Sequence, residues 1–92
     1  MKIIEENKSG KIQKDCILVN RTPVYTYIDV KNIRKRMSMT QKQFSEAFGV
    51  SVKTIEAWEN GRNRPNGVAM RLLEICEKNP DLFVELNIIN LK

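Results

Sequence analysis

"MTQKQFSEAFGVSVKTIEAWENGRNRP", residues 39–65, carries the punctuation of two short helices and the turn between them. Thr40 is a good N-cap, and Gln43 three residues later completes a capping box. Phe44 and Phe48 share a face at i, i+4 spacing, with Ala47 beside them. Gly49 ends this helix in the left-handed conformation that suits glycine, and Val50 plugs the turn. Ser51 caps the next helix, which runs to about Asn60 with Ile55 and Trp58 pointing inward, and Gly61 stops it. Ser45 falls where the two helices come closest, so only a small side chain fits. Two short helices joined by a three- or four-residue turn containing Gly make a helix-turn-helix. A lone Gly would say little; five agreeing positions make the signal specific. The outer face of the second helix is unusual. It mixes small and hydrogen-bonding side chains, with Lys53 near its start, instead of a row of paired charges.

The flanks extend the helical reading. Upstream, Asp29 is a suitable N-cap for a first helix whose stripe is Val30, Ile33 and Met37. Downstream, "RNRPNG" is a loop with two arginines, and Asn66 caps a fourth helix that buries Leu72, Leu73 and Cys76. Asn79 and Pro80 open a fifth helix with the stripe Leu82, Phe83 and Leu86. The closing "NIINLK" is apolar and reads equally as helix, strand or partner-binding tail. Before Asp29, "CILV" and "VYTYI" flank "NRTP" as two short extended pieces around a turn. They can pair as a hairpin or order only against a partner. Residues 1–14 are polar and expected to be flexible. The expectation is all-α: a five-helix domain with a short extended N-terminal segment, divided into 1–28 and 29–92.

Composition narrows the partners. The 92 residues suit one small domain, whose modest core would gain from dimerisation. The net charge of +5 is uneven. Residues 1–28 hold five basic against three acidic side chains, residues 29–67 eight against four, and residues 68–92 three against four. The middle third is therefore the natural face for a polyanion, although charge alone is equally consistent with a solvated basic surface. No apolar run approaches the roughly 20 residues of a membrane span, and the N-terminus does not read as a signal peptide, which predicts a cytoplasmic protein. Cys16 and Cys76 have no second Cys near them and the chain has no histidine, so neither zinc nor any other cofactor is expected.

Residues 39–65 resemble the phage-repressor (Xre/Cro-type) helix-turn-helix family. The resemblance covers about residues 29–86 and is carried by Thr40–Gln41, Phe44, Gly49–Val50, Ile55 and Glu59–Asn60–Gly61. Ser45 departs from the family's usual alanine but is nearly as small. More narrowly, residues 50–86 are similar to HigA/MqsA-like antitoxins through Trp58, Glu59, Gly61, Pro65, Gly67, Ala69, Leu72, Leu73, Lys78 and Pro80. The paired cysteines of the MqsA zinc domain are missing, which sets that branch aside as a whole.

The resemblance implies binding of double-stranded operator DNA, with the helix from Ser51 to Asn60 in the major groove. Carried over position by position, Ser51, Val52, Lys53 and Ala57 face bases. Lys53 can donate to guanine O6 and N7, and Val52 and Ala57 can pack on a thymine methyl. Thr40, Gln41, Thr54, Asn60, Arg62 and Arg64 match phosphate contacts. Each basic residue also has the plainer reading of a solvated side chain, and Trp58 reads first as core. Arg34 and Glu59 match a helix-to-helix ion pair. A two-fold homodimer is expected, with Leu82, Phe83, Leu86, Ile88 and Ile89 as its seam.

Three functions follow from these features. The first is an antitoxin that neutralises a RelE/HigB-like messenger-RNA endonuclease toxin and autorepresses its operon, with the segment before Asp29 as the toxin-binding surface. The second is a stand-alone Xre-family transcriptional regulator. The third is an enzyme or interaction module without DNA. Catalysis is disfavoured, because no histidine, metal cluster, Gly-rich phosphate loop or nucleophile–base pair is present, and Glu56 and Glu59 read as ordinary helical glutamates.

Overall fold

A computed structural model describes residues 16–91. Five helices follow one another: α1 (Tyr27–Arg36), α2 (Gln41–Phe48), α3 (Val52–Glu59), α4 (Gly67–Lys78) and α5 (Leu82–Glu85). Among the described residues there is no strand. The protein is an all-α helix-turn-helix domain.

The caps explain most boundaries. Thr40 and Gln43 form the expected capping box at α2, Thr40 Oγ1 accepting from the Gln43 amide at 3.1 Å and Gln43 Oε1 from the Thr40 amide at 3.0 Å. Asn66 caps α4 by accepting from the Ala69 amide at 2.9 Å. Gly49 closes α2 at φ 73°, a left-handed position that a side chain would strain. The Val50 amide then reaches back to the Ser45 carbonyl at 3.0 Å.

Two starts differ from the sequence reading. Helix α1 begins three residues earlier than an N-cap at Asp29 predicts. Thr26 is its N-cap, and Asp29 instead occupies the third position, its carboxylate accepting from the Thr26 amide at 2.8 Å. Helix α5 is a single turn that starts after Asp81, because Asn79 ends α4 with its amide bonded to the Ile75 carbonyl.

The core gathers Val30, Phe44, Ile55, Leu73 and Cys76, all fully buried, one or more from each of α1 to α4. Burial pushes the Cys76 thiol up to about 11. Phe48 ties the motif to its surroundings: its ring lies 4.3 Å from Phe44, 6.3 Å from Trp58 and 6.0 Å from Phe83, the last two edge-on. Trp58 is a core residue. Ser45 on α2 is buried, and its hydroxyl donates to the Lys42 carbonyl of the same helix at 2.7 Å, so its burial leaves no unsatisfied side-chain polar atom there.

Residues 17–26 form no hairpin. Pro23 lacks an amide donor, and the Asn20 carbonyl is taken by Arg71 Nη2 at 2.6 Å. The segment is instead tied to α4, where the buried Tyr25 donates its hydroxyl to Glu77 Oε1 at 2.7 Å. Burial and the neighbouring carboxylate raise the Tyr25 phenol above its ordinary value. Arg71 and Lys78 both donate to Glu74, at 2.7 and 3.0 Å, and hold its carboxyl below its ordinary value. The flexibility expected for residues 1–14 lies outside the described residues.

Candidate nucleic-acid interface

Helix α3 is positioned from three sides. Its N-terminus is set by Ser51, whose hydroxyl accepts from the Thr54 amide at 3.1 Å. Its inner face is held by Ile55 and Trp58 in the core. Its C-terminal end is fixed by Glu59, which Arg34 grips through Nε at 2.7 Å and Nη2 at 2.9 Å. The expected helix-to-helix ion pair is therefore present, and it raises Arg34 further above its ordinary value.

Beyond Asn60 the chain turns back sharply. Gly61 sits at φ 81°, and a Cβ there would meet the Tyr27 ring at 3.4 Å. The Arg62 and Asn63 amides then donate to the Ala57 carbonyl at 3.0 and 3.3 Å. This return brings the loop alongside α3. Lys53, Glu56, Ala57, Arg62 and Asn63 line one open concavity of about 620 Å³. Asn60 Oδ1 steadies the loop by accepting from both the Arg62 amide and Arg62 Nε, at 3.1 and 3.2 Å.

The proposed base-facing residues fall as follows. Ser51, Val52 and Lys53 are exposed at the start of α3. Ala57 is only 8% exposed but lines the concavity, so just its methyl face is on offer. Ser51 Oγ and Thr54 Oγ1 lie 2.9 Å apart and share a hydrogen bond. Of the phosphate-facing set, Thr40, Asn60, Arg62 and Arg64 are exposed. Gln41 is half-buried, and its amide donates to Glu59 Oε1 at 3.2 Å, so that nitrogen already serves the α1–α3 clamp. Arg64 is set apart from Lys53. It lines a separate hollow of about 270 Å³ with Val24, Tyr25, Tyr27 and Trp58. Glu56 and Asn63 are absent from the sequence-derived set. Their signal was positional: Glu56 follows Lys53 at i+3, and Asn63 lies beside Arg62.

One member of the expected dimer seam, Phe83, is not available at the surface. Phe83 is only 3% exposed and packs edge-on against Phe48, so it belongs to the protomer's own core. Ile89 also packs on that core, and Leu82 is half-buried. Of the five residues expected at a seam, Leu86 and Ile88 are the exposed ones, at 59% and 50%. Among the described residues no helix is long and apolar enough to cross a membrane, and no group of His, Cys, Asp and Glu is placed to hold a metal ion.

The family described as "Antitoxin component of bacterial toxin-antitoxin system, MqsA" matches residues 1–87. The match reaches well beyond the helix-turn-helix and includes the N-terminal segment, although the paired cysteines that had set this branch aside are missing. Antitoxin MqsA of Escherichia coli K12 is 35% identical over 91 residues, covering 89% of this chain and 69% of that protein. Antitoxin HigA-2 of Vibrio cholerae is 34% identical over 53 residues, 58% of this chain and 51% of that protein. The uncharacterized HTH-type transcriptional regulator YiaG of E. coli K12 is 29% identical over 69 residues, 75% of this chain and 70% of that protein. The chain belongs to the MqsA antitoxin family and is a DNA-binding helix-turn-helix protein of the antitoxin and transcription-regulator kind.

Proposed function

We propose that the chain lays α3 in the major groove of operator DNA, represses its own operon, and acts as the antitoxin of a RelE/HigB-like messenger-RNA endonuclease. The observation that carries the DNA half is the shared outer face of α3 and its return loop. Val52 and Lys53 are exposed at the helix start, Lys53 and Arg62 line one concavity, and Ile55 and Trp58 anchor the opposite face. A major groove about 12 Å wide admits one helix, so Lys53 donates to a guanine edge while Val52 and Ala57 lie against a thymine methyl. Thr40, Gln41, Thr54, Asn60, Arg62 and Arg64 hold phosphates and set the register. Two copies bind half-sites about 34–36 Å apart, joined through Leu86 and Ile88.

The antitoxin half is supported by family membership and by the N-terminal segment. Ile17, Leu18, Val19 and Val24 are exposed on a chain with no regular secondary structure. Such a segment can add a strand to a partner's sheet edge. The segment before Tyr25 then serves the toxin, and the helical body from Tyr25 onward serves DNA and dimerisation. Co-expression with the adjacent open reading frame tests this half. The neighbour should be toxic alone and co-purify with this chain; a harmless neighbour, or one that does not co-purify, rules the antitoxin reading out. The likeness to YiaG favours a second reading, a stand-alone regulator with the same DNA chemistry.

A further inference from the structure

Glu56 stands one turn after Lys53 on α3 and lines the same concavity as Lys53, Ala57, Arg62 and Asn63. Among the described residues its carboxylate makes no hydrogen bond or ion pair. Glu46 on α2 and Glu85 on α5 are open as well, but neither lines this concavity, and the remaining glutamates of the helical body are paired. Glu59 accepts from Arg34 and Gln41, Glu74 from Arg71 and Lys78, and Glu77 from Tyr25. Lys53 and Arg62 border the same hollow, yet neither is paired with Glu56. An open carboxylate therefore sits within the surface assigned to a polyanion.

Duplex phosphates repel that carboxylate, so its presence weakens binding to DNA that offers it no donor. An ionised carboxylate only accepts hydrogen bonds. In the major groove guanine presents N7 and O6 and thymine presents O4, all acceptors; cytosine presents its N4 amino group as a donor. Adenine presents an N6 amino donor beside an N7 acceptor, which would face the second carboxylate oxygen. Cytosine is the best match.

We propose that Glu56 is a specificity-determining residue that accepts from the N4 amino group of an operator cytosine, beside the base read by Lys53. This rests on the placement of α3 in the major groove. Residues three apart on a helix have Cβ atoms about 5–6 Å apart, so Lys53 and Glu56 address the same or adjacent base pairs, with base pairs rising about 3.4 Å. One side chain donates and the other accepts. Glu56 also acts against wrong sequences, since a guanine or thymine edge leaves its charge opposed by acceptors.

The test measures equilibrium binding to a promoter fragment and to a set in which each C·G pair in turn is replaced. It compares the full chain with Glu56→Ala and Glu56→Gln. The wild type should lose about tenfold in affinity at one C·G pair. Glu56→Ala should lose that preference, keep the neighbouring preference that depends on Lys53, and bind scrambled duplex more tightly. Glu56→Gln should move the preference at that pair from cytosine to adenine, because an amide pairs with adenine N6 and N7. If both variants gain affinity equally for every duplex and keep the wild-type base profile, Glu56 is only a repulsive charge and the proposal is overturned. If the wild type binds no promoter fragment, the DNA reading itself fails and takes the proposal with it.

Discussion

Arg34 grips Glu59 with two bonds, Nε to Oε2 at 2.7 Å and Nη2 to Oε1 at 2.9 Å, and so locks α1 to the C-terminal end of α3. Arg34 also donates through Nη1 to the Met39 carbonyl at 3.0 Å, tying in the loop before α2. The side chains are 11% and 4% exposed, so each charge depends on the other. Arg34→Ala leaves Glu59 buried with only Gln41 as donor and should cost about 3–5 kcal/mol, much of the stability of a small domain. Replacing both with methionine should cost far less, because no lone charge remains. Urea denaturation checks both, and a loss below about 1 kcal/mol for Arg34→Ala would mean water already solvates Glu59.

The burial of Ser45 on α2, the helix that packs against α3, sets a second expectation. Ser45 is 3% exposed, and its hydroxyl needs only the Lys42 carbonyl of its own helix. Ser45→Ala should therefore be nearly neutral, whereas Ser45→Leu should overpack the crossing and cost about 1–3 kcal/mol. An unchanged melting temperature for Ser45→Leu would contradict the close approach.

Reading and positioning residues should separate in binding measurements. Lys53→Ala should cost about 1–3 kcal/mol on the preferred operator and relax one base position. Arg62→Ala should weaken all sequences alike and flatten the salt dependence by about one counterion. Asn60 holds the Arg62 side chain through Nε, so Asn60→Ala should reproduce part of the Arg62→Ala effect. A changed base preference in Arg62→Ala would reverse the assigned roles.

Dimerisation can be tested without damaging the protomer. Removing everything after Asn79 would also remove Phe83, which the core needs. Leu86→Asp with Ile88→Asp leaves Phe83 in place and should give a monomer by sedimentation, with helicity kept. A dimer that survives the double change would place the seam elsewhere.

The motif was readable because its residues act locally. Thr40 and Gln43 cap within one turn, Gly49 must take a positive φ, and Ser51 caps the next helix. The start of α1 was harder. Thr26 lies inside "VYTYI", whose β-branched and aromatic side chains suggest an extended piece, yet Thr26 and Asp29 already had capping-box spacing. Phe83 could not be assigned from pattern, since a core residue and a seam residue are equally apolar; the Phe48 ring decides it. Gln41 matches a phosphate contact by position, and pattern alone gave no sign of the hydrogen bond that its amide also donates to Glu59 across the fold. Tertiary partners of this kind leave no periodic trace.

The central claim is that α3 enters the groove of the chain's own promoter. Titrating labelled promoter DNA with the purified protein at low ionic strength tests it most directly, with Lys53→Ala in parallel. The wild type should retard the fragment with a preference over scrambled duplex of equal length, and Lys53→Ala should lose most of that preference. Equal affinity of wild type and Lys53→Ala for both duplexes, or no retardation by either, would contradict the account.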